Sequence, residues 1–112
     1  MDTGDIVLIP FPFAEFTDVK VRPAVVVCTT QDTYRDLVLC AISSVVRPTL
    51  TKNEILLMPD QVSGLRKESV LKIDRIVTAK SQHVIAQLGK LTSADETKFK
   101  DIFKKLVDPS PE

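Results

Sequence analysis

Arg22 is the side chain of this sequence best suited to chemistry, because it stands directly before Pro23 at the start of an apolar run, VRPAVVVCT. Proline disfavours the α region for the residue before it, so we expect the backbone of Arg22 to be extended. A guanidinium group can hold two oxygens of one phosphate and oppose negative charge that develops on them. The residue type and its setting therefore favour phosphate chemistry.

A hydroxyl group is expected opposite Arg22. Residues 21–44 are interpreted as a β-hairpin, and a turn centred on positions 32 and 33 places Ser43 directly across from Arg22, with Cβ atoms about 4.5–5.5 Å apart. A slip of one residue would turn Ser43 to the other face and offer Ser44 instead. The alternative for Arg22 is a solvated rim residue or half of an ion pair, which is commoner at strand ends.

Other kinds of chemistry have weaker support in the sequence. His83 is the only histidine, which excludes a pair of imidazoles and a histidine cluster for a metal, and we expect it at the surface. No P-loop, GxSxG or HExxH pattern is present. Cys28 and Cys40 lie in apolar runs, so both are expected to be small buried hydrophobes. We therefore predict no metal and no cofactor.

The composition is that of one soluble domain. The chain has 112 residues, of which 44% are hydrophobic and 27% charged, and this length suits a single core. The net charge is +0, but residues 1–60 carry 5 Lys/Arg against 8 Asp/Glu, whereas residues 61–112 carry 10 against 7. A polyanion site must therefore be a local patch or form between chains. We expect no membrane span and a cytoplasmic location.

Six segments have strand patterns, with β-branched residues and partial alternation. They are GDIVLIPF, VRPAVVVCT, LVLCAIS, NEILLMP, ESVLKIDRIVTA and VIAQLGKL. The first is expected to stop at Pro10, followed by a loop over 11–20, since proline cannot donate to a central ladder. The pattern predicts a mainly β fold, a small twisted antiparallel sheet or half-open barrel, with a helix that covers an open side.

The helix is predicted at about 93–107. Its apolar residues fall on one stripe: Phe99, Ile102, Phe103 and Leu106. Ser93 and Glu96 have the spacing of a capping box, but Thr92 with Asp95 is an equally possible cap, so the start of the helix is left open by a residue.

The chain resembles the PemK/MazF toxins, the ribonuclease halves of bacterial toxin–antitoxin pairs, in blocks that keep the family's order: GDIVLIPFPF, VRPAVVV, LCAIS, GLRKESVLKIDRI and KLTSADETKFKDIFKKL. The resemblance implies a single domain over residues 1–112, with a small SH3-like barrel of the CcdB/PemK type and a C-terminal helix. It also implies a homodimer whose groove takes single-stranded RNA, and a cognate antitoxin whose tail fills the same groove.

For activity, the resemblance implies a metal-independent endoribonuclease that inhibits growth. The ribose 2′-hydroxyl would attack the next phosphate and leave a 2′,3′-cyclic phosphate and a 5′-hydroxyl end, so DNA would be spared. The family's arginine before proline falls on Arg22 and its hydroxyl residue on Ser43, which are thereby implied to be catalytic. The residues expected to bind substrate are Lys20, Ser44, Arg47, Ser69 and Arg75.

Two alternatives belong to other functional classes. One is a protein-binding toxin on the same barrel, as in the related CcdB group that poisons DNA gyrase. That group is expected to act through a C-terminal tail with tryptophan, and this chain has no tryptophan. The other is an inert barrel that has lost catalysis, against which the presence of Arg22 and Ser43 argues. The sequence does not identify the cleavage motif or the class of target RNA.

Overall fold

The computed structural model describes residues 1–12 and 19–109. In chain order these residues form strands β1 (Asp5–Pro12), β2 (Val19–Thr29), β3 (Leu37–Ser43), β4 (Glu54–Leu57), β5 (Ser69–Ala79) and β6 (Ala86–Lys90), then helix α1 (Ser93–Val107). A short 3₁₀ turn, Ser81–His83, precedes β6. All six predicted strands are present, and the helix has the predicted bounds, so the mainly β fold with a C-terminal helix is confirmed.

The strands form one antiparallel sheet in the order β4-β5-β3-β2-β1-β6. The sheet is curled into a half-barrel. Phe11 of β1 and Val77 of β5 pack against the same buried cluster, although β2 and β3 lie between their strands. This curled sheet with one helix is the small barrel that the sequence predicted.

Apolar side chains form a cluster on each face of the sheet. The helix-side cluster includes Ile6, Val25, Ile42, Leu71 and Phe99. The second cluster consists of Val7, Ile9, Ala24, Val26, Leu37 and Leu39. Successive side chains of a strand point to opposite faces, so neighbours along β1 and β2 divide between the two clusters. Both faces are buried, which is why these segments are apolar without alternation.

Helix α1 begins after Thr92, whose Oγ1 accepts a hydrogen bond from the backbone N of Asp95 at 3.2 Å. Of the two predicted caps, the structure therefore has Thr92 with Asp95. Phe99 is 1% exposed, and Ile102 and Phe103 pack beside it on the helix-side cluster. In the described residues, no helix combines the length and apolar character that crossing a membrane requires.

The prediction that β1 stops at Pro10 is wrong, because β1 continues to Pro12. The carbonyl oxygen of Leu8 accepts a hydrogen bond from the backbone N of Ile85 at 2.8 Å, so the polar backbone groups of Leu8 point away from β2. Because this direction alternates along a strand, the backbone of Pro10 also points away from β2. Strand β6 pairs with β1 no farther than Leu8. Within the described chain, no ladder bond at Pro10 is lost, so the strand tolerates this residue.

The two cysteines differ, which corrects the expectation that both are buried. Cys40 is fully buried and its Sγ donates to the carbonyl oxygen of Ile73 at 3.3 Å, whereas Cys28 is exposed. Burial, and secondarily the charge of Asp74, raises the pKa of Cys40 to about 12, so its thiol stays protonated. Cys28 follows a shift in the β2–β3 register after Val26, where the regular alternation of the strand is interrupted.

Strand β5 carries an insertion that its sequence pattern did not reveal. Cys40 of β3 pairs with Ile76, but the next residue of β3 pairs with Lys72, so Ile73, Asp74 and Arg75 form a bulge. The predicted alternation of β5 ends here, because residues 74–76 are all exposed. Asp74 and Arg75 thus lie on an irregular, solvent-facing part of the strand.

Candidate functional site

The β2–β3 ladder has the predicted register from Ala24 to Val26, with Ala24 opposite Ala41. Arg22 and Ser43 lie two residues beyond its last pair, so their predicted pairing is an extension of that register and stays a prediction. The paired ladder itself ends at Ala24. Pro23 comes next and has no N–H to extend the ladder, so the strands are released there. The proline that holds Arg22 extended also opens the sheet beside it.

A groove of about 590 Å³ lies beside Arg22. Four of the predicted site residues line it, namely Lys20, Arg22, Ser44 and Ser69. Leu8, Ile42 and Leu88 add apolar surface. A concave site with an apolar base and a few polar groups is the usual form of a ligand-binding site.

The charged residues that line the groove are Lys20, Arg22, Arg66 and Lys67. Among the described residues of the lining there is no aspartate or glutamate, so its formal charge is entirely positive. A concave surface with charge of one sign concentrates its field and attracts ligands of the opposite sign. The Nε atom of Arg22 is buried, so part of its guanidinium is shielded from water.

The groove wall opposite β2 is the turn that leads into β5. Ser63 is buried in this turn, and its Oγ accepts a hydrogen bond from the backbone N of Leu65 at 3.2 Å and donates to the carbonyl oxygen of Met58 at 3.2 Å. Gly64 has φ 71°, and a Cβ atom at this position would overlap the carbonyl oxygen of Leu88. The turn therefore packs backbone to backbone against β6, in a conformation and a space that glycine suits.

Arg66 and Lys67 also line the groove and were not among the predicted site residues. Both are exposed, and the Oγ of the buried Ser69 donates to the carbonyl oxygen of Lys67 at 3.0 Å. That bond fixes the backbone between the turn and β5, which is a structural role for Ser69. The available signal was the pair of adjacent cations between Gly64 and the following strand.

Three of the predicted site residues do not line the groove. Ser43 is half-buried at the end of β3, where its Oγ accepts a hydrogen bond from the backbone N of Val45 at 3.1 Å. Arg47 is exposed in the connection from β3 to β4, and Arg75 is exposed in the bulge of β5. Ser44 is the hydroxyl residue of this region that reaches the lining.

The described lining suits anions. Its lysine, arginine and serine side chains supply ammonium, guanidinium and hydroxyl donors. Within residues 1–12 and 19–109, no group of three or more His, Cys, Asp and Glu side chains is arranged to hold a metal ion. His83 is exposed, as expected. Most of the predicted loop over 11–20 lies outside the described residues. Of its ends, residues 11–12 belong to β1 and residues 19–20 belong to β2.

A family model for PemK-like, MazF-like toxins of type II toxin–antitoxin systems matches residues 2–107 of the chain. No curated protein shows a significant match. The match thus covers every strand and the helix, from the first residues of the chain to the end of α1.

Solved structures share the fold over nearly the whole chain. An endoribonuclease in complex with its cognate antitoxin, from a mycobacterial species, is 18% identical with a TM-score of 0.72, covering 97% of each chain. A MazE–MazF complex from Deinococcus radiodurans is 18% identical with a TM-score of 0.71, covering 98% of each chain. The toxin MazF-mt6 from Mycobacterium tuberculosis is 19% identical with a TM-score of 0.68, covering 96% of this chain and 99% of that one.

Proposed function

Because the chain belongs to the PemK-like, MazF-like toxins of type II toxin–antitoxin systems, we propose that it is an endoribonuclease that cleaves single-stranded RNA without a metal ion. The groove beside Arg22 carries the proposal, since its described charged residues are all cations. A phosphodiester chain is the polyanion that such a groove suits, and its apolar base offers contact to nucleosides. The lining donors bind phosphate oxygens directly and need no bridging cation.

The proposed reaction is an internal transfer within the RNA. The ribose 2′-oxygen bonds to the adjacent phosphorus and loses its proton, while the bond from that phosphorus to the 5′-oxygen of the next nucleotide breaks. The departing 5′-oxygen takes up a proton. The products are a 2′,3′-cyclic phosphate and a 5′-hydroxyl end, and no water is consumed. DNA lacks the attacking hydroxyl and is therefore not cleaved.

Arg22 is proposed to stabilise the transition state. Its guanidinium opposes the negative charge that grows on the nonbridging oxygens as the 2′-oxygen adds to phosphorus. Arginine side chains stay protonated in proteins, which makes Arg22 a donor of hydrogen bonds and a poor base. Its buried Nε and its position on an extended, proline-fixed backbone support this role, because a preorganised donor does not need to reorient during the reaction.

Ser43 is proposed to donate a hydrogen bond to a phosphate oxygen. Its Oγ already accepts from the backbone N of Val45, which orients the hydroxyl and leaves its proton for a substrate oxygen. Lys20 and Ser44 bind the strand within the groove, and Ser69 supports the backbone beside it. Three of the proposed contacts come from residues outside the groove lining: that of Ser43 at the end of β3, and those of Arg47 and Arg75 with RNA that extends beyond the groove.

The proposed protein partners are a cognate antitoxin, whose tail fills the groove, and a second copy of this chain. Two of the structural neighbours are toxin–antitoxin complexes, which supports the first partner. A homodimer would combine the basic grooves of two chains. Sedimentation at micromolar concentration is expected to show a dimer, and a monomer at that concentration would contradict the second partner.

The activity is tested with purified protein and a long single-stranded RNA in excess EDTA. We expect cleavage with cyclic phosphate and 5′-hydroxyl ends, and no cleavage of DNA of the same sequence. Arg22→Gln is expected to lower kcat by about 100-fold or more, the usual cost of removing one donor to a transition-state oxyanion. Arg35→Gln is the matched control, because Arg35 is exposed in the β2–β3 turn and does not line the groove.

Two outcomes would contradict the proposal. Cleavage that requires added metal would refute the metal-independent mechanism, and undiminished cleavage by Arg22→Gln would refute the role of Arg22. Growth arrest on expression without any RNA cleavage would favour the protein-binding alternative.

A further inference from the structure

The four cations of the groove stand on two separate walls. Lys20 and Arg22 belong to β2, whereas Arg66 and Lys67 belong to the turn before β5. Strand β3 lies between β2 and β5, so the two strands are about 10 Å apart. One phosphate held closely by Arg22 on the first wall does not account for the cations of the second wall.

Arg66 and Lys67 are carried by a segment that is anchored on both sides. Leu65 before them is buried in the helix-side cluster, and Ser69 after them is 4% exposed and bonds to the carbonyl oxygen of Lys67. Both cationic side chains are nevertheless exposed. A fixed backbone with accessible charged side chains reduces the ordering cost of binding, as a preformed ligand site requires.

The second wall and the size of the groove exceed what one phosphate needs. A phosphodiester carries a single negative charge, whereas Arg66 and Lys67 place two exposed cations on the second wall. A volume of about 590 Å³ falls in the range of sites that enclose whole small molecules. Both quantities indicate an occupant with more than one phosphate.

We infer that Arg66 and Lys67 bind a second phosphate of the same strand, next to the phosphate held by Arg22. The inference rests on the proposed function and deepens it, because it defines the occupant as a single strand with two successive phosphates across the two walls. Arg66 and Lys67 are then substrate-binding residues that hold the strand in position and take no part in bond breaking.

Binding is measured with a 2′-O-methyl RNA oligonucleotide, which cannot be cleaved because its 2′-oxygen is blocked. The double variant Arg66→Gln/Lys67→Gln is expected to bind about ten-fold more weakly than the unmodified protein, as the loss of a charge-assisted contact predicts. The slope of log affinity against log salt should become shallower by about 0.7, the value for one phosphate of a single strand. The control Lys98→Gln/Lys104→Gln removes the same charge from exposed positions of α1 and should leave binding unchanged.

A neutral methylphosphonate at one position identifies the phosphate. Two oligonucleotides are used, each centred on a mapped cleavage site. One carries the methylphosphonate at the phosphate before the scissile phosphate, and the other carries it at the phosphate after. At one of these two positions, binding to the unmodified protein should weaken about ten-fold, while binding to the double variant should not weaken further, since the contact is already absent. Equal weakening of both proteins at both positions would overturn the inference.

Cleavage kinetics separate this inference from the proposed function. The double variant should raise KM with kcat little changed, whereas Arg22→Gln lowers kcat. If the double variant binds and cleaves RNA as the unmodified protein does, the second phosphate site is refuted and the proposed function stands. If the unmodified protein cleaves no RNA, the proposed function fails. The second phosphate site would still be supported if the double variant bound a mixed-sequence 2′-O-methyl oligonucleotide more weakly than the unmodified protein does. Thermal unfolding of each variant verifies that it is folded.

Discussion

Helix α1 and the groove wall at residues 58–68 are attached to the same sheet by different interactions. The helix is held by apolar side chains, with Phe99 1% exposed and Phe103 packed beside it. The wall is held largely by polar contacts, including a hydrogen bond from the backbone N of Lys90 to the carbonyl oxygen of Val62 at 2.9 Å. Apolar burial stabilises the whole fold, whereas the polar contacts fix a local shape around the groove.

The charges of the two regions are also arranged differently. On α1, Lys100 pairs with Glu96 at 2.9 Å and Lys105 with Asp101 at 3.2 Å. The described lining of the groove has cations and no carboxylate. Paired charges largely cancel beyond a short distance, while charges of one sign in a concavity add. A chain with a net charge of +0 can therefore present a groove whose described lining is basic.

The largest expected effect is on the helix side. Phe99→Ala should lower the free energy of unfolding by about 3–5 kcal/mol, because it removes a buried aromatic ring and leaves a cavity under α1. Phe103→Ala is the control, since Phe103 is only partly buried, and should cost less. Urea unfolding measures the free energy of unfolding of both variants. Phe99→Leu is a milder variant that stays folded for the comparison if Phe99→Ala does not. An equal or greater loss at Phe103 would contradict the difference in packing.

On the groove wall, Gly64→Ala should lower the free energy of unfolding by roughly 1–3 kcal/mol and weaken RNA binding, because the positive φ is strained and the new Cβ meets backbone. Gly4→Ala is the matched control. Gly4 has φ 93°, but its added Cβ would meet the side chain of Glu96, which can move. The idea that close packing on β6 positions the wall would be contradicted by two results together: Gly4→Ala lowers the free energy of unfolding as much as Gly64→Ala does, and neither variant changes RNA binding.

Ser63→Ala tests the polar attachment of the same wall. The substitution should cost about 1–2 kcal/mol, because the backbone N of Leu65 and the carbonyl oxygen of Met58 lose their bonds to Oγ. Ser93→Ala, at an exposed position in the first turn of α1, should change the unfolding midpoint very little. If both variants are equally stable, the hydrogen bonds of Ser63 do not hold the wall.

The smallest effect concerns an ion pair away from both regions. The pKa of Glu54 is lowered, first by a hydrogen bond from the backbone N of Thr51 and then by Lys72, whose Nζ lies 2.9 Å from Oε2. A lowered folded-state pKa gives stability that is present above the unfolded pKa and lost as pH falls through the folded one. Glu54→Gln should therefore cost under about 1 kcal/mol at pH 7, and the difference should vanish in acid.

Urea midpoints at neutral and acidic pH measure this difference. Glu68→Gln, at an exposed glutamate, is the control and should show no such dependence. A difference for Glu54→Gln that persists in acid would show that the carboxylate charge is not its source.

Local sequence patterns predicted the elements but not their irregularities. The stripe through Phe99 and Phe103 predicted α1 at its observed bounds. The exposure of Cys28 and the extension of β1 through Pro10 were not predicted, because each depends on a neighbouring strand. A bulge or the end of a partner strand is a property of the pairing and leaves little trace in either segment alone.

The sequence by itself determined the presence of the strands and the helix, the hairpin register at Ala24–Val26, and the family, since these depend on local periodicity and motif order. Only the tertiary structure placed Arg66 and Lys67 across the groove from Arg22 and kept Arg75 outside it. The reason is physical: propensity and alternation act over a few residues, whereas the groove depends on the curl of the sheet and on a turn whose glycine, Gly64, packs against a distant strand.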